Sequence, residues 1–215
     1  MARVALAFLL VCAAAGAAHA QEVDGFPAET HVNKQAYTLL GTGVHSGDDG
    51  APLYKMALYV EEDEARRAFP ALVVRAGGHS HAALVGGDHA SGFVVWGHFG
   101  KMAVLRAPHG LDAKTLQAEL RAGFDESLPA RSDPELQDAA AKLIGLFNRS
   151  LTVGQEILIR TDDAGHIYLD VAGERTDGPQ SPKLARALWE VWLGEKAADP
   201  KLRRGLVDRI DLLGK

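Results

Sequence analysis

The sequence predicts an α+β domain in which an antiparallel sheet is covered on one face by helices. Two pairs of strand-like segments are each joined by a short turn that contains Asp and Gly, as is typical of β-hairpins. Several other segments repeat apolar residues every three to four positions, which indicates amphipathic helices. Strands and helices alternate too rarely to build the βαβ units of a doubly wound parallel sheet. The sheet is therefore expected to be antiparallel.

The first twenty residues have the composition of a secretory signal peptide. A basic residue precedes an apolar run, and Ala18-His19-Ala20 forms a small-residue cleavage site before Gln21. Cys12 lies inside the apolar run, and we interpret it as part of the signal rather than as a lipid anchor. The predicted mature chain, residues 21–215, is a single domain without cysteine that is located in the periplasm or secreted.

Composition and charge argue against nucleic acid as a partner and against a membrane-spanning helix. The formal net charge is −5 at pH 7, and the basic residues form no run, so nucleic acid is not expected to bind. No apolar run reaches the ~20 residues that a membrane-spanning helix requires. Hydrophobic residues make up 47% of the chain, which is enough for a sizeable core. The expected partner is a small apolar or planar ligand, and the oligomeric state stays open.

Hydrophobic periodicity and turn residues predict the order of the elements. Pro70 is expected to interrupt the first helix, because proline lacks the N–H group that a helix interior uses. The segment 77–100 is ambiguous, since its short apolar run Phe93–Trp96 fits either a strand or a buried helical turn. A polar lead-in over 21–34 ends in at most a short strand. The other expected elements are strands at Tyr37–Val44, Leu53–Val60, Lys101–Arg106, Glu156–Arg160 and His166–Val171, hairpin turns at Asp48-Asp49-Gly50 and Asp163-Ala164-Gly165, and helices at Glu61–Val74, Asp112–Leu128, Pro134–Phe147, Ser181–Gly194 and Lys201–Leu212.

Three passages of the chain carry a family resemblance when they are taken together and in order. The first is the hairpin formed by Leu39–Val44 and Tyr54–Val60, and the second is Lys101–Arg106 with the helix that follows it. The third is Ala187–Gly194 followed by Asp199–Leu206. They resemble the bacterial exported members of the chalcone isomerase-like family. The resemblance implies an open-faced β-sandwich, in which helices cover one face of a curved antiparallel sheet and an apolar cleft lies between the layers.

The same resemblance argues against the reaction for which the family is named. It places His45 where the plant enzymes have an arginine, and Met56-Ala57 where they have a threonine. It places Leu116 and Gly123 where they have a tyrosine and an asparagine. Ring closure of a chalcone requires a cation near the phenolate and donors for the developing enolate, which leucine and glycine cannot supply. Dedicated chalcone isomerase activity is therefore not expected, and the protein is predicted to be non-catalytic or weakly catalytic.

A cluster of histidines suggests a metal-bearing cofactor. Five of the nine histidines fall within His79–His109, a segment that is also rich in glycine and apolar residues. Imidazole is the commonest metal ligand, and apolar walls suit a planar cofactor, so we predict non-covalent haem b. No C-x-x-C-H motif is present for covalent attachment, and Arg106 could hold a ligand carboxylate or propionate. The candidate axial ligands, in order of preference, are His98, His89, His81 and His79, and the candidate wall residues are Phe93, Val94, Val95, Trp96 and Phe99.

These residues also have structural interpretations. His98 could be a hydrogen-bonded residue of the core, and the other three histidines could lie on the surface. Trp189 and Trp192 are expected to pack in the core, and Arg106 could form a surface ion pair. Three functions therefore stay open at this point: a haem protein, a fatty-acid or other amphiphile binder without metal, and an isomerase or lyase acting on a different substrate.

Overall fold

The computed structural model of the protein describes residues 21–47, 49–128 and 133–215. The predicted signal peptide, with Cys12 and the cleavage site, lies outside the described residues, as does Asp48 of the first predicted turn. The strands are β1 (Glu22–Val23), β2 (Phe26–Pro27), β3 (Glu29–Val32), β4 (Gln35–Ser46), β5 (Pro52–Glu61), β6 (Lys101–Arg106), β7 (Glu156–Thr161), β8 (Ile167–Val171) and β9 (Glu174–Asp177). The helices are α1 (Glu62–Ala76), α2 (His81–Val85), α3 (His89–Trp96), α4 (Ala113–Ser127), α5 (Pro134–Leu146), α6 (Pro182–Leu193) and α7 (Pro200–Gly205), followed by a 3₁₀ helix (Ile210–Gly214).

Strands β3 to β9 form one seven-stranded antiparallel sheet in which each strand pairs with its neighbours in the sequence. The short strands β1 and β2 pair only with each other. The predicted α+β class and the antiparallel sheet are thus confirmed. Register shifts between Leu39 and Gly41, and between His45 and Ser46, interrupt the regular pairing of β4 with β5, and bulges of this kind bend a strand.

The two faces of the sheet are covered differently. Side chains alternate along β6, so that Ala103 and Leu105 face the helices whereas Met102 and Val104 face the opposite side. The helix-covered face holds the main core, which includes the two tryptophans of α6. We call the opposite side the open face. It carries a smaller apolar cluster, formed by Phe26, Tyr37, Leu39, Ala57, Tyr59, Met102 and Val104.

The N-terminal segment, residues 21–34, lies against the open face. The hydroxyl of Tyr59 donates a hydrogen bond to the carbonyl of Pro27 at 3.0 Å, and Phe26 is buried in the cluster. Beside it, the Thr42 hydroxyl donates to Asp24 Oδ2 at 2.5 Å. The segment therefore contains three short strands where the sequence predicted at most one, because short strands can form once an apolar surface is available to cover.

The structure differs from the sequence prediction inside α1, and it defines the ambiguous segment that follows α1. The interruption at Pro70 is wrong, because α1 continues through it to Ala76. The cost of an internal proline is about 3 kcal/mol, and burial of the apolar face of α1 outweighs it. The ambiguous segment 77–100 forms α2 and α3, so Phe93–Trp96 is helical. The buried side chains of α1 are Ala65, Phe69, Leu72 and Val73.

The predicted last helix is divided. Residues 201–212 do not form one helix: α7 ends at Gly205, and a 3₁₀ helix begins at Ile210. The backbone N–H of Arg209 donates to the carbonyl of Leu40 at 2.8 Å, so the chain turns to bind β4 instead of continuing as a helix. Within the described residues, none of the helices is both long and apolar enough to cross a membrane.

Glycines on both sides allow α7 to lie directly on β4. A Cβ atom on Gly41 would lie 2.0 Å from the carbonyl oxygen of Gly205. A Cβ atom on Gly205 would lie 2.4 Å from the carbonyl oxygen of Thr42. Both clashes are with backbone atoms, which cannot move aside as a flexible side chain can. The glycines of the Leu39–Val44 passage are therefore required by this contact.

We expect the substitution Gly41→Ala to destabilise the protein, because the new methyl group would push α7 from the sheet. The loss should be at least the ~1–3 kcal/mol that overpacking costs. Gly145→Ala is the matched control, since a Cβ atom there meets no atom within 4 Å and the site is helical. That variant should be as stable as the parent or gain up to ~1 kcal/mol. Urea unfolding measures both, and equal effects at the two positions would contradict the packing argument.

Candidate functional site

A cleft lies on the helix-covered face, between α4, α6 and the adjoining ends of β4 and β5. It has an inner part of about 110 Å³ and an outer part of about 270 Å³. The two parts share four lining residues, which come from α4, α6 and the turn after α6. A Cβ atom on Gly123 would lie 2.5 Å from Val191 Cγ1, so the two helices are in close contact where the parts meet. The shared residues are Gly123, Glu126, Val191 and Lys196.

His45 lies at the inner end of the cleft, between two carboxylates. Its ring is buried, and Nε2 lies 3.1 Å from Oε2 of Glu119 on α4. Nδ1 lies 3.4 Å from Oδ2 of Asp199, the residue before α7. Within the described residues Nδ1 makes no hydrogen bond of good geometry. Strand β4, helix α4 and the start of α7 are thus connected through a single imidazole ring.

Tyr54 lies beside His45 and offers a hydrogen-bond donor to the cleft. The two rings are 5.0 Å apart, and the Tyr54 oxygen accepts a hydrogen bond from Trp192 Nε1 at 3.0 Å. Among the described residues, no acceptor is found for the hydroxyl's own proton. Burial raises the pKa of Tyr54 far above its ordinary value, and the nearby carboxylates of Glu119 and Asp199 act in the same direction. The phenol therefore stays neutral and can donate.

Asp199 combines a structural role with its place in the cleft. Its carboxylate accepts hydrogen bonds from the backbone N–H groups of Lys201 (2.9 Å) and Leu202 (3.0 Å), which caps α7. Burial by itself raises the pKa of Asp199. The two backbone N–H groups and the His45 ring act more strongly in the other direction, so the pKa lies below its ordinary value. The group is a carboxylate at neutral pH.

The polar residues around the cleft are predominantly acidic. Lys196 is paired with Glu126 at 3.4 Å, and Arg203 is paired with Asp88. Burial raises the pKa of Glu190, a further acidic lining residue, and the nearby Arg186 guanidinium partly opposes that shift. Because the two cations already have acidic partners, the cleft offers little compensation to a negatively charged ligand. Its walls are apolar, and include Leu116, Leu120, Val191, Trp192 and Leu202.

The residues aligned with the catalytic groups of the plant enzymes are only partly in the cleft. His45, Leu116 and Gly123 line it. Met56 is buried in the main core and Ala57 faces the open face, so neither lines the inner cleft. Strand β5 contributes Tyr54 instead. Strand alternation puts residues 54 and 56 on one face, and this signal could have identified Tyr54 from the sequence.

Sequence reasoning also missed two acidic residues of the cleft. Glu119 lies three residues after Leu116 and four before Gly123, which places all three on one side of α4. This spacing was available in the sequence. Asp199 could not be found in that way, because its approach to His45 depends on how α7 packs on β4.

The residues predicted to bind haem do not all share one pocket: Val95, Trp96 and His98 line a small cavity of about 50 Å³, and the others do not line it. Phe93 and Phe99 pack against each other in the core with ring centres 5.1 Å apart. Trp96 is 57% exposed and stacks on Arg186. Arg106 lies at the end of β6 with the open-face residues, where it pairs with Glu156 at 3.0 Å. Alternation along β6 therefore separates Arg106 from the helices that carry the histidines.

The four candidate axial histidines lie on or near the surface. His79, His81 and His98 are exposed, and His89 is half-buried. The Nε2 atom of His81 lies 3.4 Å from the carboxylate of Asp208. In the part of the chain that the structure describes, no group of three or more His, Cys, Asp or Glu side chains is arranged to hold a metal ion. A haem requires only one or two such ligands, so haem binding by these residues stays a prediction.

The fold and the cleft define an α+β protein built as an open-faced sandwich. Residues 100–208, about half of the chain, match the family described as chalcone isomerase-like, and the chain belongs to this family. The resemblance seen in the sequence is thus confirmed. No individually curated protein matches the sequence at a significant level.

A solved structure supports the fold assignment. The crystal structure of a fatty-acid binding protein from Arabidopsis thaliana superposes with a TM-score of 0.68, over 87% of this chain and 93% of that chain. The two sequences are 15% identical. At that identity the likeness establishes the fold, and the predicted open-faced sandwich is confirmed.

The lowered pKa of Asp199 predicts a pH-dependent contribution to stability. A carboxyl group whose pKa is lower in the folded chain stabilises it above the unfolded pKa of about 3.9, and loses this effect as pH falls through the folded pKa. Asp199→Asn should therefore be less stable than the parent at pH 7, with a difference that shrinks towards pH 3. Asp199→Ala should show a further deficit of ~1 kcal/mol at every pH, because it also loses the cap. Urea unfolding across this range is the measurement, and a pH-independent difference for the Asn variant would contradict the assignment.

Proposed function

We propose that the protein binds a long-chain amphiphile in the cleft between α4 and α6, without a metal. The observation that carries the proposal is a cleft with apolar walls that ends at a buried group of hydrogen-bonding side chains. Ligand pockets generally combine mostly apolar walls with a few polar groups that fix orientation. The fatty-acid binding protein with the same fold supports this choice of ligand class.

The inner end of the cleft favours a head group that is neutral and polar. The Tyr54 hydroxyl can donate a hydrogen bond to a ligand oxygen, and the Glu119 carboxylate can accept one from a ligand O–H. An ionised head group would lie close to Glu119 and Asp199, and like charges in a partly buried site repel strongly. An alcohol or a protonated acid therefore fits this end better than a carboxylate.

The alkyl chain would extend from the inner into the outer part of the cleft. It would run over the outer side of the Gly123–Val191 contact, beside Glu126 and Lys196, which line both parts, and reach the exposed ring of Trp96. Burial of apolar chain is favourable at about 25 cal/mol per Å², so the walls provide the affinity and the polar end provides the orientation. Leu116 and Gly123 supply no donor, and the carboxylates of Glu119 and Asp199 beside Tyr54 would oppose a phenolate or a developing enolate, so binding rather than chalcone cyclisation is proposed.

Haem binding is the second candidate, and it rests on the histidine segment. Hemin reconstitution followed by absorption spectroscopy tests it: a histidine-ligated haem gives a Soret band that His98→Ala abolishes or shifts. Because the metal binds neutral imidazole, retention should weaken as the pH falls below ~6.5. The absence of a Soret band, or its survival when His79, His81, His89 and His98 are all alanine, would reject haem ligation by this segment.

We also propose that the chain is exported and cleaved after Ala20. The support is the basic residue, the apolar run and the A-x-A site of the first twenty residues. The described part of the chain contains no cysteine, and so it needs no disulfide to hold its fold outside the cytoplasm.

Blocking the cleft should abolish binding of a neutral amphiphile. Dodecanol is the probe, measured by calorimetry at pH 8. Ala122 is an exposed residue of α4 that lines the inner cleft, so Ala122→Trp should fill the entrance and weaken dodecanol binding at least ten-fold. Ala118→Trp is the matched control, because Ala118 is exposed on the same helix and does not line the cleft. Equal affinities in the two variants, or no dodecanol binding by the parent, would overturn the proposal.

A further inference from the structure

A second and larger cavity lies on the open face of the sheet. Its volume is about 630 Å³, which falls within the 300–1,000 Å³ range of ligand pockets. Residues of both edge strands, β3 and β9, line it, because the sheet curls. Its floor is apolar, and the N-terminal segment forms one wall through Phe26 and Pro27. We call this cavity the open-face groove. The floor residues are Tyr59, Met102, Val104 and Leu158.

Two of the three arginines that line the groove are already neutralised. Arg106 donates from Nε to Glu156 at 3.0 Å, and from Nη1 to the carbonyl of Gly25 at 2.7 Å. Arg175 donates from Nε to Asp170 at 3.2 Å. Their charges are balanced, and they serve mainly to hold the walls of the groove in place.

The third arginine, Arg160, is different. Its guanidinium carbon lies 3.9 Å from the centre of the Tyr168 ring, and the side chain is half-buried. None of the carboxylates in the described part of the chain forms an ion pair with it, and its polar neighbour is the Tyr37 hydroxyl, whose burial-raised pKa the guanidinium partly lowers. The remaining acidic residue of the groove, Asp177, is exposed on the edge strand β9. Stacking on an aromatic ring fixes the plane of a guanidinium group while leaving its N–H donors free for an anion.

The register of the strands sets the length of the groove. Arg160 pairs across the sheet with Met102, whereas Glu156 pairs with Arg106. Arg160 lies four residues along β7 from Glu156, which is the residue opposite Arg106. This separation is about 13 Å at ~3.3 Å per residue. The apolar side chains of Met102, Val104 and Leu158 lie along this interval. One end of the groove thus presents an available cation and the floor presents hydrocarbon, while polar and paired charged side chains form the rim.

We propose that the open-face groove is a second ligand site, which binds an anionic amphiphile with its carboxylate on Arg160 and its chain over Met102, Val104 and Leu158. Charge complementarity selects this occupant. The cleft between the helices disfavours a carboxylate because Glu119 and Asp199 lie at its inner end, whereas the groove offers a planar guanidinium that can bind a carboxylate through two hydrogen bonds. The two cavities lie on opposite faces of the sheet and divide amphiphiles by the charge of the head group.

Dodecanoate at pH 8 is the probe, and calorimetry gives its affinity and stoichiometry. Arg160→Gln should weaken dodecanoate binding at least ten-fold. Arg67→Gln is the matched control, since it removes an exposed arginine of α1 that is paired with Glu64 and does not line the groove, and it should change the affinity less than two-fold. Thermal unfolding of each variant checks that it is folded. Leu158→Glu provides a second test, because it places a negative charge on the floor of the groove and should also weaken dodecanoate binding at least ten-fold.

The outcomes separate this site from the cleft. Ala122→Trp should leave dodecanoate binding unchanged while it abolishes dodecanol binding, and Arg160→Gln should do the reverse. Dodecanoate affinity that survives both Arg160→Gln and Leu158→Glu in folded protein would overturn the proposal. So would loss of dodecanoate binding in Ala122→Trp alone, which would place the carboxylate ligand in the cleft instead.

Discussion

The structure depends on a central strand that is buried on both faces. Lys101 to Leu105 of β6 are all buried, although successive side chains point to opposite sides of the sheet. Such a strand requires a cover on each side, because either face left in water would expose apolar surface. The helices cover one face and the N-terminal segment covers the other. Each cover leaves a cavity beside it, and this is why the protein has a cleft and a groove separated by one layer of sheet.

The division of polar groups between the cavities follows from the same alternation. On β6, Arg106 is an even number of residues from Met102 and Val104, so its side chain points to the same open face. On β5, Tyr54 is two residues from Met56, so its side chain points to the same helix-covered face. The two cavities acquire different electrostatic character as a result. One ends in carboxylates around an imidazole, and the other ends in a guanidinium stacked on a tyrosine.

Local patterns in the sequence predicted most of the sheet and the long helices, because these elements follow from periodicity and turn chemistry. The patterns failed where distant parts of the chain decide the structure. Strand β9 is short and polar, and it forms because β8 offers an edge to pair with. Helix α1 continues through Pro70 because its buried face packs on the core. The division of the last helix depends on the hydrogen bond from Arg209 to Leu40.

The candidate site was predictable to a smaller extent. His45, Leu116 and Gly123 were identified through the family resemblance, since that resemblance carries positional information that composition lacks. The haem prediction rests on the local composition of the histidine segment, and it stays a prediction because composition does not reveal which side chains face the same space. Asp199 was beyond sequence reasoning, because no periodicity connects it with His45.

The contact between α7 and β4 has a consequence for the order in which the protein folds. The hairpins β3–β4, β4–β5, β7–β8 and β8–β9 close short loops and are expected to form early, whereas β6 pairs with β5 and β7 across the intervening residues 62–100 and 107–155. The close approach of Gly41 to Gly205, and that of His45 to Asp199, joins the beginning of the described chain to its end. These contacts close loops that span most of the chain, so they are expected to form late. We therefore expect the cleft to be the last part of the molecule to assemble, after the sheet that supports it has formed.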